Sequence, residues 1–128
     1  MKKSNKPTQA ELEILQVLWS RGPSSVREVN DILNKRREVG YTTTLKIMQI
    51  MADKGLAERD TRTRTHVYTA AVSEGDTQKQ LLDRFLETAF KGSAGKLVMQ
   101  ALGSHEASAE ELEKIKALIK KIEDEQST

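Results

Sequence analysis

The residue periodicities predict a mainly α fold with one small β-hairpin, and three observations carry that prediction. Capping boxes of the form Ser/Thr-x-x-Glu stand at Thr8–Glu11, Ser25–Glu28 and Ser108–Glu111, each ahead of an apolar stripe at helical spacing. Between Leu56 and Val72 the period shortens to the alternation of strands. From Ser73 onward helical spacing returns and holds to the end of the chain. At 128 residues there is room for one ordinary domain, or for a small domain with an appendage.

The first helix opens at the Thr8–Glu11 box and runs through Leu12, Ile14, Leu15, Leu18 and Trp19, apolar over most of its circumference and therefore core. Gly22 and Pro23 stop it, the glycine as a left-handed cap and the proline as a residue that cannot continue a helix. Ser25 then caps a short amphipathic helix carrying Val26, Val29, Ile32 and Leu33. A charged connection, Lys35 to Gly40, follows. The third helix begins at Thr42-Thr43-Thr44 and ends at Gly55. At 100° per residue Thr44, Ile47, Met48 and Met51 share one face, and Thr42, Lys46, Gln49 and Asp53 occupy the other. Two strands, Ala57–Asp60 and Thr65–Ala70, flank a basic tip at Thr61-Arg62-Thr63-Arg64. Three short helices followed by such a hairpin is the element order of a winged helix-turn-helix.

Beyond residue 72 the stripes are narrower. Leu81, Leu82, Phe85, Leu86, Ala89 and Phe90 form one, ended by Gly92; Leu97, Val98, Ala101 and Leu102 form a second before Gly103. Leu112, Ile115, Leu118, Ile119 and Ile122 mark a final helix, with Glu123-Asp124-Glu125 as a frayed, solvated tail. Three charged-backed helices of this size make a marginal isolated core, so they are expected to pack against a second copy. The expected division is a winged helix over residues 1–72 and a helical dimerisation region over residues 73–128.

Charge follows the same division. Residues 1–72 carry 13 Lys and Arg against 8 Asp and Glu, and residues 73–128 carry 8 against 11. A basic front and an acidic back point to a polyanion partner for the first half alone. There is no cysteine and only two separated histidines, His66 and His105, so thiolate chemistry, disulfides and His- or Cys-based metal sites are excluded. No cofactor and no metal is expected, and an enzyme has little behind it. The basic opening, Met1 to Lys6, is followed by no hydrophobic stretch and does not read as a secretory signal. No apolar run reaches the roughly 18 residues of a membrane span, and the cysteine-free composition fits the cytoplasm.

The third helix carries the most specific functional signal. Thr42 and Thr43 at its start can donate to phosphates, while Lys46 and Gln49 can reach base edges in a major groove. Arg62 and Arg64 at the hairpin tip suit the edge of a minor groove, where the potential favours arginine. The plainer reading of both features is a solvated helix face and a turn kept soluble by charge. A winged-helix protein-interaction module that touches no DNA is the rival function.

The chain resembles the penicillinase-repressor family of bacterial regulators, of the BlaI, MecI and CopY type, over nearly its whole length. The likeness rests on Ala10-Glu11-Leu12-Glu13-Ile14-Leu15 with Leu18-Trp19, on Tyr41-Thr42-Thr43, on Lys54-Gly55-Leu56, on Val67-Tyr68, and on Phe90-Lys91-Gly92-Ser93 with Leu97-Val98. It implies a homodimeric repressor of transcription bound to a dyad-symmetric double-stranded operator; the apolar stripes themselves put Leu82, Phe85, Leu86, Leu112, Ile115, Leu118, Ile119 and Ile122 in the dimer contact. It further implies relief by a membrane-bound sensor protease that responds to β-lactams. The family's scissile bond aligns with Gln100-Ala101, where staphylococcal members have Asn-Phe, so this chain departs at both positions. The cysteine-rich copper site of one branch is absent. The wing departs too, reading Arg62-Thr63-Arg64 where a glycine is common.

Overall fold

The computed structural model describes residues 6–127, so the opening basic segment, Lys6 apart, lies outside the described residues. The chain falls into two units, Met1–Asp83 and Arg84–Thr128.

The first unit contains α1 (Gln9–Arg21), β1 (Ser24–Ser25), α2 (Val26–Leu33), α3 (Tyr41–Lys54), β2 (Ala57–Asp60) and β3 (Val67–Ala70). The Thr8 hydroxyl accepts from the Glu11 amide and the Glu11 carboxylate accepts from the Thr8 amide, so the expected capping box is complete. Ser25 and Glu28 close the second box in the same way. Ile14, Leu15 and Leu18 of α1 meet Val29 and Leu33 of α2, Met48 and Met51 of α3, and Leu56 and Tyr68 in one closed core. Trp19 lies at its margin, half-buried, and its indole N–H donates to the Val72 carbonyl at 2.9 Å.

A buried polar knot sets the turn between α2 and α3. The Asn30 side-chain amide donates to the Thr44 hydroxyl at 2.8 Å and to the Val39 carbonyl at 3.0 Å. Asn34 braces the same loop, donating to the Val39 carbonyl and accepting from its amide. Among the described residues every buried side-chain polar atom is satisfied, which matters because an unpaired one costs about 1–3 kcal/mol.

Several expectations are corrected in detail. The sheet has three antiparallel strands in the order β1-β3-β2, with Ser24 opposite Tyr68 and Arg59 also opposite Tyr68. Two residues of β1 carry no periodicity, so nothing in the sequence marked that strand. Strand β3 starts at Val67 rather than Thr65, because Thr63 Oγ1 donates to the Thr65 carbonyl and keeps that stretch in the turn. Gly22 has φ 89° but ψ −160°, so it is not the left-handed cap expected; Gly55, at φ 82° and ψ 13°, is one.

In the second unit and the helix that leads into it stand α4 (Glu74–Phe90), α5 (Ala94–Ser104) and α6 (Ala109–Gln126). Lys91 and Gly92 take positive φ at the end of α4, and the Gly92 amide donates back to the Leu86 carbonyl. Gly103 does not end α5, which continues to Ser104 and is closed by the His105 amide on the Ala101 carbonyl. The acidic tail is not frayed: α6 includes Glu123, Asp124 and Glu125, with Lys120 ion-paired to Asp124 one turn on.

Candidate nucleic-acid interface

Thr44, Met48 and Met51 turn into the core, and Ile47 is half-buried, so α3 faces outward with the residues the helical wheel assigned to solvent. Thr42, Thr43, Lys46 and Gln49 lie on that outward side, and all four are exposed. Ile50, 41% exposed, lies on the same face one turn beyond Lys46 and was not singled out from the sequence. An apolar residue on an otherwise polar helix face reads as an outlier in isolation; beside Lys46 and Gln49 it offers a surface for a thymine methyl group.

The wing tip, residues 61–66, is exposed throughout. Its lack of glycine has a physical explanation, since none of its residues takes a positive φ. The turn is held by side chains instead. The Arg62 amide donates to Asp60 Oδ1 at 3.0 Å, and the Arg62 guanidinium grips both carboxylate oxygens of Asp60 at 3.0 and 2.8 Å. The guanidinium and amide bonds from Arg62 lower the Asp60 pKa to about 2. Arg62 and Arg64, equivalent by sequence, therefore differ: the first is engaged by a carboxylate, and among the described residues the second is not.

Arg64 lies instead along a cleft of about 490 Å³ at the root of the wing, which Arg27, Tyr41, Gln49, Arg59 and His66 also line. The Arg27 guanidinium stacks over the Tyr41 ring, 5.3 Å from its centroid. Neither Arg27 nor Arg59 stood out in the sequence, because the first lies in α2 and the second in a strand, and only the fold brings them to α3.

The C-terminal stripes stay open within the single chain. Leu82, Phe85, Leu112, Leu118, Ile119 and Ile122 are exposed, Phe85 at 54% and Leu118 at 56%, while Leu86 and Ile115 are half-buried. Gln100 and Ala101 are exposed in the interior of α5. Among the described residues no group of three or more His, Asp or Glu could hold a metal, and no helix is long and apolar enough to cross a membrane.

Comparison with known proteins places these features in a wider set. The family model described as penicillinase repressor matches residues 7–121. The penicillinase repressor of Bacillus licheniformis is 26% identical over 115 residues, covering 90% of each chain. The transcriptional regulator BlaI of Mycobacterium tuberculosis is 37% identical over 59 residues, 45% of this chain and 43% of that one. Among solved structures, the DNA-binding domain of the repressor BlaI superposes with a TM-score of 0.52 at 29% identity, covering 59% of this chain and 93% of the other.

Proposed function

This chain belongs to the penicillinase repressor family, and from that membership we propose a homodimeric transcriptional repressor that binds a dyad-symmetric operator in the cytoplasm. The observation that carries the reading is the outer face of α3. Thr42, Thr43, Lys46 and Gln49 line the outward side of a helix held in place by the buried Asn30–Thr44 bond. In this reading α3 enters the major groove, Gln49 and Lys46 read base edges, Ile50 meets a methyl group, and the threonines anchor to phosphates. The wing lies along the neighbouring backbone through Arg62 and Arg64. Residues 1–72 are the DNA-binding part.

Residues 73–128 supply the dimer. Support comes from the apolar stripes of α4 and α6, which leave Leu82, Phe85, Leu112, Leu118, Ile119 and Ile122 open to water. Large apolar side chains left open to water along a helix mark an interaction site. Two linked copies bind two half-sites as one event, and the gain over a single half-site is about 100- to 10,000-fold. A cut at Gln100-Ala101 by a membrane-bound sensor protease would sever α6 from the DNA-binding part and abolish that gain. The cut also needs α5 to open locally, and within the single chain none of its residues is buried. The protein acts without catalysis, cofactor or metal.

Footprinting of the full chain on the promoter of its own operon tests the proposal. The expected result is protection of two half-sites whose centres lie about one helical turn, or a small multiple of it, apart. Protection of a single unrepeated half-site, or none above random sequence, refutes it.

A further inference from the structure

The cleft at the root of the wing is unusual in its charge. Arg27, Arg59 and Arg64 all line it, and among the described residues no aspartate or glutamate does. By contrast Arg21 is paired with Glu28, Arg37 with Glu13 and Arg62 with Asp60. The carboxylate nearest in sequence to Arg27 is Glu28, already committed to the Ser25 cap and to Arg21. Three guanidiniums line one cleft, and no carboxylate in its wall balances their charge.

The position of Arg27 sharpens the point. It lies in the first turn of α2, at the positive end of the helix dipole, where a cation is disfavoured and an anion is favoured. Its guanidinium carbon lies over the Tyr41 ring, 5.3 Å from the centroid, a cation–π contact that holds the charge at the cleft. Arg59 faces Tyr68 in register, on the sheet face that borders the cleft, whereas Asp60 alternates to the other face and takes Arg62 with it. A local arrangement that violates two rules of charge placement is the kind found where a ligand supplies the missing partner.

We propose that Arg27, Arg59 and Arg64 form a clamp for one backbone phosphodiester of DNA, seated between α3 and the wing, and that Arg62 takes no part in it. This rests on the DNA reading above and refines it. Arg27 and Arg59 join the interface, and the two wing-tip arginines acquire different roles. The clamp reads charge and not sequence, so it sets where the duplex lies against α3 without choosing the bases.

Salt titrations of full-length protein on a random-sequence duplex, followed by fluorescence anisotropy, test this. The double variant Arg27→Gln/Arg59→Gln is compared with the charge-matched Arg36→Gln/Arg84→Gln, whose arginines lie outside the cleft. Loss of one phosphate contact should weaken binding about eightfold at 0.1 M salt and flatten the log–log salt slope by about 0.9. The matched control should change the slope by much less, and Arg62→Gln less than Arg64→Gln. Equal losses in the two double variants, with equal slopes, overturn the clamp while leaving the DNA reading intact. Wild-type protein with no salt-dependent duplex binding overturns both. If melting shows that Arg59→Gln disturbs the sheet, Arg27→Gln/Arg64→Gln replaces it against the same control: a flatter slope supports the clamp, and equal slopes overturn it.

Discussion

The winged-helix part and the C-terminal helices are written in the same code and end in opposite states. Both have capping boxes, apolar stripes at helical spacing and charged backs. In the first, three helices cross and a small sheet closes the side, so that Ile14, Leu15, Val29 and Met51 are wholly buried. In α5 and α6 no described residue is buried at all, and in α4 only Thr77 is. An amphipathic stripe thus specifies that a helix must be covered, and says nothing of whether the cover comes from the same chain. The charge asymmetry matches: the self-sufficient half is the basic one, with surface free for a polyanion.

That contrast can be broken most directly by truncation. A fragment ending at Gln100 lacks α6 and should no longer dimerise, weakening operator binding by about 100- to 10,000-fold through lost bivalency. Its winged-helix part should still melt cooperatively. Sedimentation and operator titration on the fragment check both halves of this, and a dimeric, tight-binding fragment would erase the distinction. Leu118→Asp with Ile122→Asp in the full chain should reproduce the monomer without shortening the protein.

Substitution inside the closed core should act on the other side of the comparison. Met51 is fully buried between the helices, and Met51→Ala should cost about 2–5 kcal/mol of unfolding free energy, read by denaturant titration. Leu118→Ala, made at a position 56% exposed in the single chain, should leave the melting of a monomeric form nearly unchanged. On the α3 face, Gln49→Ala should relax discrimination at one base position by about 1–3 kcal/mol with stability unaltered. Competition with single-base operator variants measures it.

The smallest expected effect concerns Glu11, which serves two structures at once. Burial by itself would raise its pKa, but the Lys54 ammonium at 2.7 Å and the Thr8 amide outweigh burial and hold it below the ordinary 4.5. A carboxyl lowered on folding stabilises the native state above its unfolded value and loses that contribution as pH falls through the folded one. Glu11→Gln should therefore cost about 1–2 kcal/mol at neutral pH, and the gap between variant and wild type should narrow as pH falls below the ordinary 4.5 and through the lowered folded value. Parallel thermal melts from pH 7 to pH 3 follow it. A gap that stays constant would mean that the Lys54 contact contributes nothing.

Much of the fold was legible because its signals are local. A capping box spans four residues, a stripe needs only the helical period, and the Gly55 cap depends on one residue's freedom at positive φ. Those determined α1, α2, α3 and α6 to within a residue or so at their starts, the β2–β3 hairpin, and the outward face of α3. The sequence alone also determined the total charge and its split between the two halves.

Tertiary structure alone decided whatever joins distant residues. It paired Asn30 with Thr44 and so fixed the α2–α3 turn, gave Glu11 to Lys54 across 43 positions, and added β1 to the sheet on two residues. It also set Arg64, and not Arg62, along the cleft with Arg27 and Arg59, although the sequence presents the two wing-tip arginines as equals. The physical reason is the same in each case. A guanidinium or an amide carries no mark of its partner in the sequence, because hydrogen bonds and ion pairs depend on distances of about 3 Å that only the packed chain establishes.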